Sequence, residues 1–318
     1  MFLKILKRSF HIFTLIALAA ALFPAVGVTT GARKTFRAVE DSTAVETHPS
    51  DTIHAGRRTG CIPVGSLAQD SLAFKAGETM SFVLHYNWGV INSDVGTATV
   101  RLSETDYNGV PVFHCEVAGH TTRLFDLVFK VRERFESWFT RDGLRPMKFI
   151  RDSHEGKYVA TNTFAYDWGR SVILADVYST SSGQRNIELP LDRCTYDLPA
   201  LFFLARNMNM DVVTPEVRYP MTFAIDDDVY NVHFILHGRE TVDVKGLGRV
   251  NTIKFSARLL AGEVFRSDTD MTIYISDDAN RLPVYFEAPL LVGKAAGRMS
   301  SYSGLAHPFS SMVKERRR

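Results

Sequence analysis

The chain has 318 residues, 45% hydrophobic and 23% charged, with 37 basic against 35 acidic side chains. That composition suits one large or two modest globular domains. Its near-neutral balance excludes a general attraction to nucleic acid or to an anionic membrane.

The first 27 residues hold Lys4, Lys7 and Arg8 and no acid. From Phe10 to Ala32 there is no charged residue, and Ile12–Phe23 is strongly apolar. Pro24 breaks the run, and Ala25-Val26-Gly27 supplies the small residues of a cleavage site. This is the pattern of a secretory signal peptide, with cleavage expected after Gly27. An uncleaved membrane anchor is the competing reading, since the uncharged run approaches spanning length. Cys61 lies too far downstream to be the lipidated residue of a lipoprotein signal. Residues 28–70 are poor in large apolar side chains and read as a flexible lead.

A single β-rich domain is expected over 71–310, followed by a basic tail over 311–318. In Glu78–Tyr86 the apolar residues Met80, Phe82, Leu84 and Tyr86 recur at every second position, the period of a half-buried strand. Val95–Ser103 alternates likewise, and Asn108-Gly109 marks a tight hairpin turn before Val110–Ala118. Thr122–Phe129 reads as a short helix capped by Thr121 or Thr122. Arg132–Thr140 alternates again, with Trp138 pointing away from Phe135 and Phe139. Met147–Arg151, Tyr158–Tyr166 and Ser171–Ser179 continue a meander of short strands.

One helix interrupts the meander. Leu198, Leu201, Phe202, Ala205 and Met208 fit a helical face, Asp197 can cap it, and Pro199 is tolerated in its first turn. Strands then follow over Tyr219–Ile225, Tyr230–Gly238, Glu240–Val244, Val250–Ala257, Met271–Ile275, Leu282–Glu287 and Gly293–Tyr302. The total is about twelve strands and one or two helices, without helix–strand alternation. The fold class is therefore mainly β: one large curved antiparallel sheet, or a partly open barrel, with one or two helices against it.

Signatures of catalysis and of cofactor binding are missing. There is no G-x-S-x-G, H-E-x-x-H, Walker loop or C-x-x-C. Asp226-Asp227-Asp228 and Asp277-Asp278-Ala279-Asn280 are read as solvated hairpin corners rather than cation sites. Asp268 and Asp270 look like edge charges. His233 and His237 would share a strand face about 13 Å apart, too far for one metal. The expectation is a protein that is not an enzyme and uses no metal or cofactor.

The aromatic inventory supports two readings. One is an ordinary sheet core. The other is an apolar cavity between sheet and helix, lined by Phe82, Tyr86, Trp138 and Phe202, for a lipid-like ligand. Of the three cysteines, Cys115 alternates with polar residues on an apolar strand face and reads as a core thiol. Cys61 and Cys194 sit in turn-like, proline-containing surroundings and are the candidate disulfide, with three free thiols as the alternative.

Four stretches carry a resemblance: Ala73-Phe74-Lys75-Ala76-Gly77-Glu78, Tyr86-Asn87-Trp88, Cys194-Thr195-Tyr196-Asp197 and Ile275-Ser276-Asp277-Asp278-Ala279-Asn280-Arg281-Leu282-Pro283-Val284. With these, residues 61–308 resemble the DUF3108 family of exported bacterial proteins, especially its Bacteroides-type members. The resemblance implies one continuous domain and an envelope location, in the periplasm or at the outer-membrane periphery of a Gram-negative bacterium. It implies no activity. Cysteines at positions like Cys61 and Cys194 recur in such relatives, which is the stronger reason to pair them. The functional expectation is an envelope protein that binds a lipid or a lipidated partner. The alternative is a structural protein that docks other envelope components.

Overall fold

The computed structural model describes residues 61–260, 271–290 and 293–314. The expected signal peptide, residues 28–60 of the lead, Asp268, Asp270 and residues 315–318 lie outside them. The strands are β1 (Thr79–Trp88), β2 (Ile91–Tyr107), β3 (Val110–Thr121), β4 (Val131–Thr140), β5 (Pro146–Glu155), β6 (Tyr158–Asp167), β7 (Val172–Ser179) and β8 (Gly183–Pro190). They continue with β9 (Thr195–Tyr196), β10 (Arg218–Ile225), β11 (Asp228–Val244), β12 (Gly248–Leu260), β13 (Met271–Ser276), β14 (Pro283–Pro289) and β15 (Lys294–Ser303). Two short helices, α1 (Arg123–Asp126) and α2 (Leu198–Ala205), complete the order.

All fifteen strands form one sheet, in the order β8-β7-β6-β5-β4-β3-β2-β1-β15-β14-β13-β12-β11-β10-β9. Every pairing is antiparallel except β9 with β10. The first eight strands meander outward from β1, and the later ones return to pair β15 with β1. Consequently β8 and β9 lie at opposite edges yet are joined by only residues 191–194. A flat sheet of this many strands would be about 67 Å wide. That link reaches about 17 Å. The sheet must therefore curl until its edges approach. Side chains then cross the gap: Arg185 Nη2 on β8 donates to Asp227 Oδ2 beyond β10 at 2.7 Å.

Alternation places the apolar set inside. Met80, Phe82 and Leu84 of β1 and Phe135 and Phe139 of β4 are buried, as are Phe149 of β5 and Phe164 of β6. Asn108 and Gly109 both adopt positive φ (55° and 79°), the turn their types favour. Gly297 is required by contact, because a Cβ there would lie 1.9 Å from Phe286 Cζ. Helix α2 is apolar on every side, and its residues from Leu198 to Leu204 are buried inside the curl. The helix starts where Asp197 accepts from Ala200 N at 2.8 Å. It ends at Ala205, earlier than the apolar spacing through Met208 predicts, because Arg206 turns away to other partners.

Cys61 and Cys194 form a disulfide with a Cα–Cα distance of 5.2 Å, and Cys115 is a buried free thiol. The fold thus takes up the chain at Cys61, earlier than the boundary at residue 71 read from composition. Gly65 N donates to Asn207 O at 2.9 Å, and Val64 bridges Met208. Among the described residues, no helix is long and apolar enough to cross a membrane.

Candidate functional site

Strand alternation continues inward past the aromatic layer and becomes polar. On β5 the phase of Phe149 continues through Arg151, Ser153 and Glu155, all buried. Glu133 of β4 faces Ser153 across the ladder, and Asn162 of β6 faces Arg151. The Asp226 corner between β10 and β11 reaches this face from the far edge of the sheet. Arg151 Nη1 donates to Asp226 Oδ1 at 2.6 Å, and Asp226 N donates to Asn162 Oδ1 at 3.2 Å. The expectation of a solvated Asp226-Asp227-Asp228 tip is therefore corrected. Asp226 and Asp227 each hold an arginine from the other half of the sheet, and only Asp228 is exposed.

Burial raises the Glu155 carboxyl well above its ordinary range, and repulsion from Glu133 adds to this. Ser153 Oγ lies between the two carboxyls, donating to Glu133 Oε1 and approaching Glu155 Oε1 as a donor at 3.4 Å. Glu133 Oε2 lies 3.9 Å from Arg151 Nε. Burial opposes the charge on Arg151, but Asp226, Glu133 and Glu155 outweigh it and hold the guanidinium firmly protonated. Arg151 Nη2 has no hydrogen-bond partner among the described groups. Tyr158, at the end of this row, is pushed up to about 12 by burial and by Asp226.

A second buried arginine closes α2. Arg206 Nε donates to Asn280 O at 3.1 Å, and Nη2 donates to Ala73 O at 3.0 Å, Glu78 Oε2 at 3.0 Å and Asn280 O at 2.9 Å. Nη1 donates to Glu78 Oε1. The rings of Phe74, Phe202 and Phe203 surround it at 5.4–5.8 Å.

The end of the sheet beyond Arg151 carries exposed aliphatic side chains. Register places the β1–β2 turn, the β3–β4 connection and the β5–β6 turn at the same rim. Thr122 caps α1 by accepting from Phe125 N, but this four-residue helix buries none of its residues. Leu124, Leu127, Val128 and Val90 are 77%, 84%, 69% and 103% exposed. Phe129 anchors the connection beneath them; a Cβ on Gly156 would come within 2.8 Å of its ring. Asp126 is paired with Arg132 at 2.6 Å, which together with Thr121 holds its carboxyl well below the usual range. Arg123, Lys130 and Lys157 are exposed and form no salt bridge among the described residues.

The family described as "Protein of unknown function (DUF3108)" matches residues 81–300. The chain belongs to the DUF3108 family. No curated protein matches it. Among solved structures it is similar to a β-barrel-like protein of the domain of unknown function DUF1849 from Brucella abortus. That similarity has a TM-score of 0.49 at 8% identity and covers 72% of this chain and 98% of the other.

The structure does not gather the predicted cavity residues of this DUF3108 chain into one lining. Phe82 packs against Phe286 at 6.2 Å between ring centroids, with Tyr86 further along the same face of β1. Phe202 meets Phe203 edge-on at 5.1 Å. Trp138 occupies the outer face, stacked on His114 at 4.3 Å with Lys148 Nζ 4.8 Å from its ring centre. The features that stand out instead are the Arg151 row and the apolar rim. The row had a sequence signal, since Arg151, Ser153 and Glu155 keep the phase of Phe149. The rim had none, because apolar spacing at Leu124, Leu127 and Val128 reads as a helix face about to be buried.

Proposed function

We propose that this DUF3108 protein is a non-enzymatic component of the bacterial envelope that engages lipid-like matter, either a lipid or a lipidated partner. The observation that carries this is the rim: four aliphatic side chains more than two-thirds exposed at one end of the curled sheet. Isolated exposed aliphatics are ordinary; three within residues 124–128, on α1 and the turn that follows it, are a marked surface. The leader-like N-terminus and the Cys61–Cys194 bond support placement in the oxidising periplasm or at the outer-membrane periphery.

The test is photolabelling in micelles of a neutral detergent carrying a photoreactive acyl chain. Peptides spanning residues 123–130 and the Val90 turn should take the label. Label spread evenly over the surface, or none, would remove this reading. A structural protein docking other envelope components is the second reading. It is favoured by the burial of Phe82 and Phe202 in the packed interior, and it predicts that the rim stays unlabelled.

A further inference from the structure

We infer that the rim seats on the surface of a bilayer containing anionic phospholipid, an assignment that rests on the lipid-directed reading above and selects its partner. The geometry argues first. An acyl chain offered by a single lipidated partner needs walls on several sides. Leu127 at 84% exposure and Val90 at 103% project outward and are not enclosed by the described residues. A protruding apolar tip matches an extended interface, into which aliphatic side chains enter to the depth of the headgroup boundary.

Charge argues second. Over the whole chain basic and acidic residues nearly balance. Around the tip at residues 123–130 they do not, although Asp228 at the β10–β11 corner of the same end is also exposed. Asp126 is neutralised by Arg132, and Glu155 is buried with its carboxyl shifted toward the neutral form. Arg123, Lys130 and Lys157 remain exposed around the aliphatics. Exposed cations beside an inserting apolar tip are the arrangement that an anionic headgroup layer attracts, within about a Debye length of its surface. The anchoring is also suited to load. Phe129 against Gly156, and Thr122 N donating to Val95 O at 2.9 Å, tie the tip to the sheet at both ends.

The experiment is co-sedimentation of the processed chain, its N-terminus read by mass spectrometry, with vesicles of two compositions. One is phosphatidylcholine alone; the other is an equimolar mixture of phosphatidylethanolamine and phosphatidylglycerol. Binding should favour the anionic vesicles and weaken with added salt. Leu124→Ser, Leu127→Ser and Val128→Ser together should lower it on the order of a hundredfold. Arg123→Glu, Lys130→Glu and Lys157→Glu should each lower it about fivefold or more. All these side chains are exposed, so the unfolding transition should not move, which separates lost docking from lost folding. Equal binding to both vesicles, or full binding by the serine variant, overturns the assignment. Acyl-chain labelling of the rim without vesicle binding overturns the bilayer while leaving a lipidated partner in place. Absence of both removes the parent reading as well.

Discussion

Arg206 and Arg151 are both buried in the same curled sheet, yet they differ in how completely the surroundings answer them. Arg206 directs Nε, Nη1 and Nη2 to a carboxylate and two backbone carbonyls inside a cage of phenylalanine rings. Arg151 has one short bond to Asp226, a longer approach to Glu133, and an Nη2 with no hydrogen-bond partner among the described groups. The difference follows from what each joins. Arg206 joins two backbone carbonyls, of Ala73 and Asn280, and the Glu78 carboxylate, and backbone carbonyls are fixed acceptors. Arg151 joins side chains across the seam where the two sheet edges approach, and these can take up protons. Burial alone does not show what a charge contributes; the identity of its acceptors does.

The largest effect should come from dismantling the saturated arginine. Replacing Arg206→Met together with Glu78→Gln should cost about 5 kcal/mol in urea unfolding, because the carbonyls of Ala73 and Asn280 stay buried without a donor.

A second test lies between the two arginines. Asp197 caps the helix that Arg206 ends, and it accepts from Ser137 Oγ at 2.8 Å on the strand that carries Glu133. Burial raises its carboxyl from 3.8 to about 7. The folded state therefore holds this proton more tightly than the unfolded state does. Its contribution is full below about pH 4 and is lost as pH rises through about 7. Asp197→Asn keeps the cap and should flatten the stability profile across that window, by on the order of 4 kcal/mol. A profile that keeps its slope in the variant would place the titration elsewhere, with Glu155→Gln as the next substitution to compare.

Reducing Cys61–Cys194 should cost about 3 kcal/mol and shift the unfolding midpoint. Thiol titration of the oxidised native protein should find no reactive sulfur, since burial holds the Cys115 thiol well above its ordinary range. The smallest effect should follow Arg151→Met with Asp226→Asn and Glu133→Gln, below about 1 kcal/mol, since partly answered charges are replaced together by groups that need less. Asparagine also accepts the positive φ of 53° at position 226. Equal losses from the two arginine replacements would break the contrast between them.

Much of the architecture was legible in local pattern. Period-two alternation located β1, β3 and β4, Asn108-Gly109 set a turn, and Thr122 and Asp197 served as the expected caps. The count of about twelve strands fell short of fifteen where alternation fails. Strand β8 is an edge, exposed along most of its length, and β9 is two residues long. The Arg151 row is missed because the sequence ends this strand at Arg151, whereas β5 runs on to Glu155 and keeps Ser153 and Glu155 on the inner face. The ends of Asp226 and Arg206 that matter are non-local, and no window of sequence contains both partners.

The closure of β1 on β15 has a temporal consequence. Ser81 and Ser300, bonded across that seam, are 219 residues apart in sequence. A nascent chain can assemble the first eight strands as neighbours, but β1 waits with an unpaired edge until nearly the whole domain has been made. Such non-local pairing slows folding and exposes a template for wrong partners. Aggregation should therefore begin at β1: truncations that stop short of Lys294 should be insoluble, whereas chains that reach Ser303 should not.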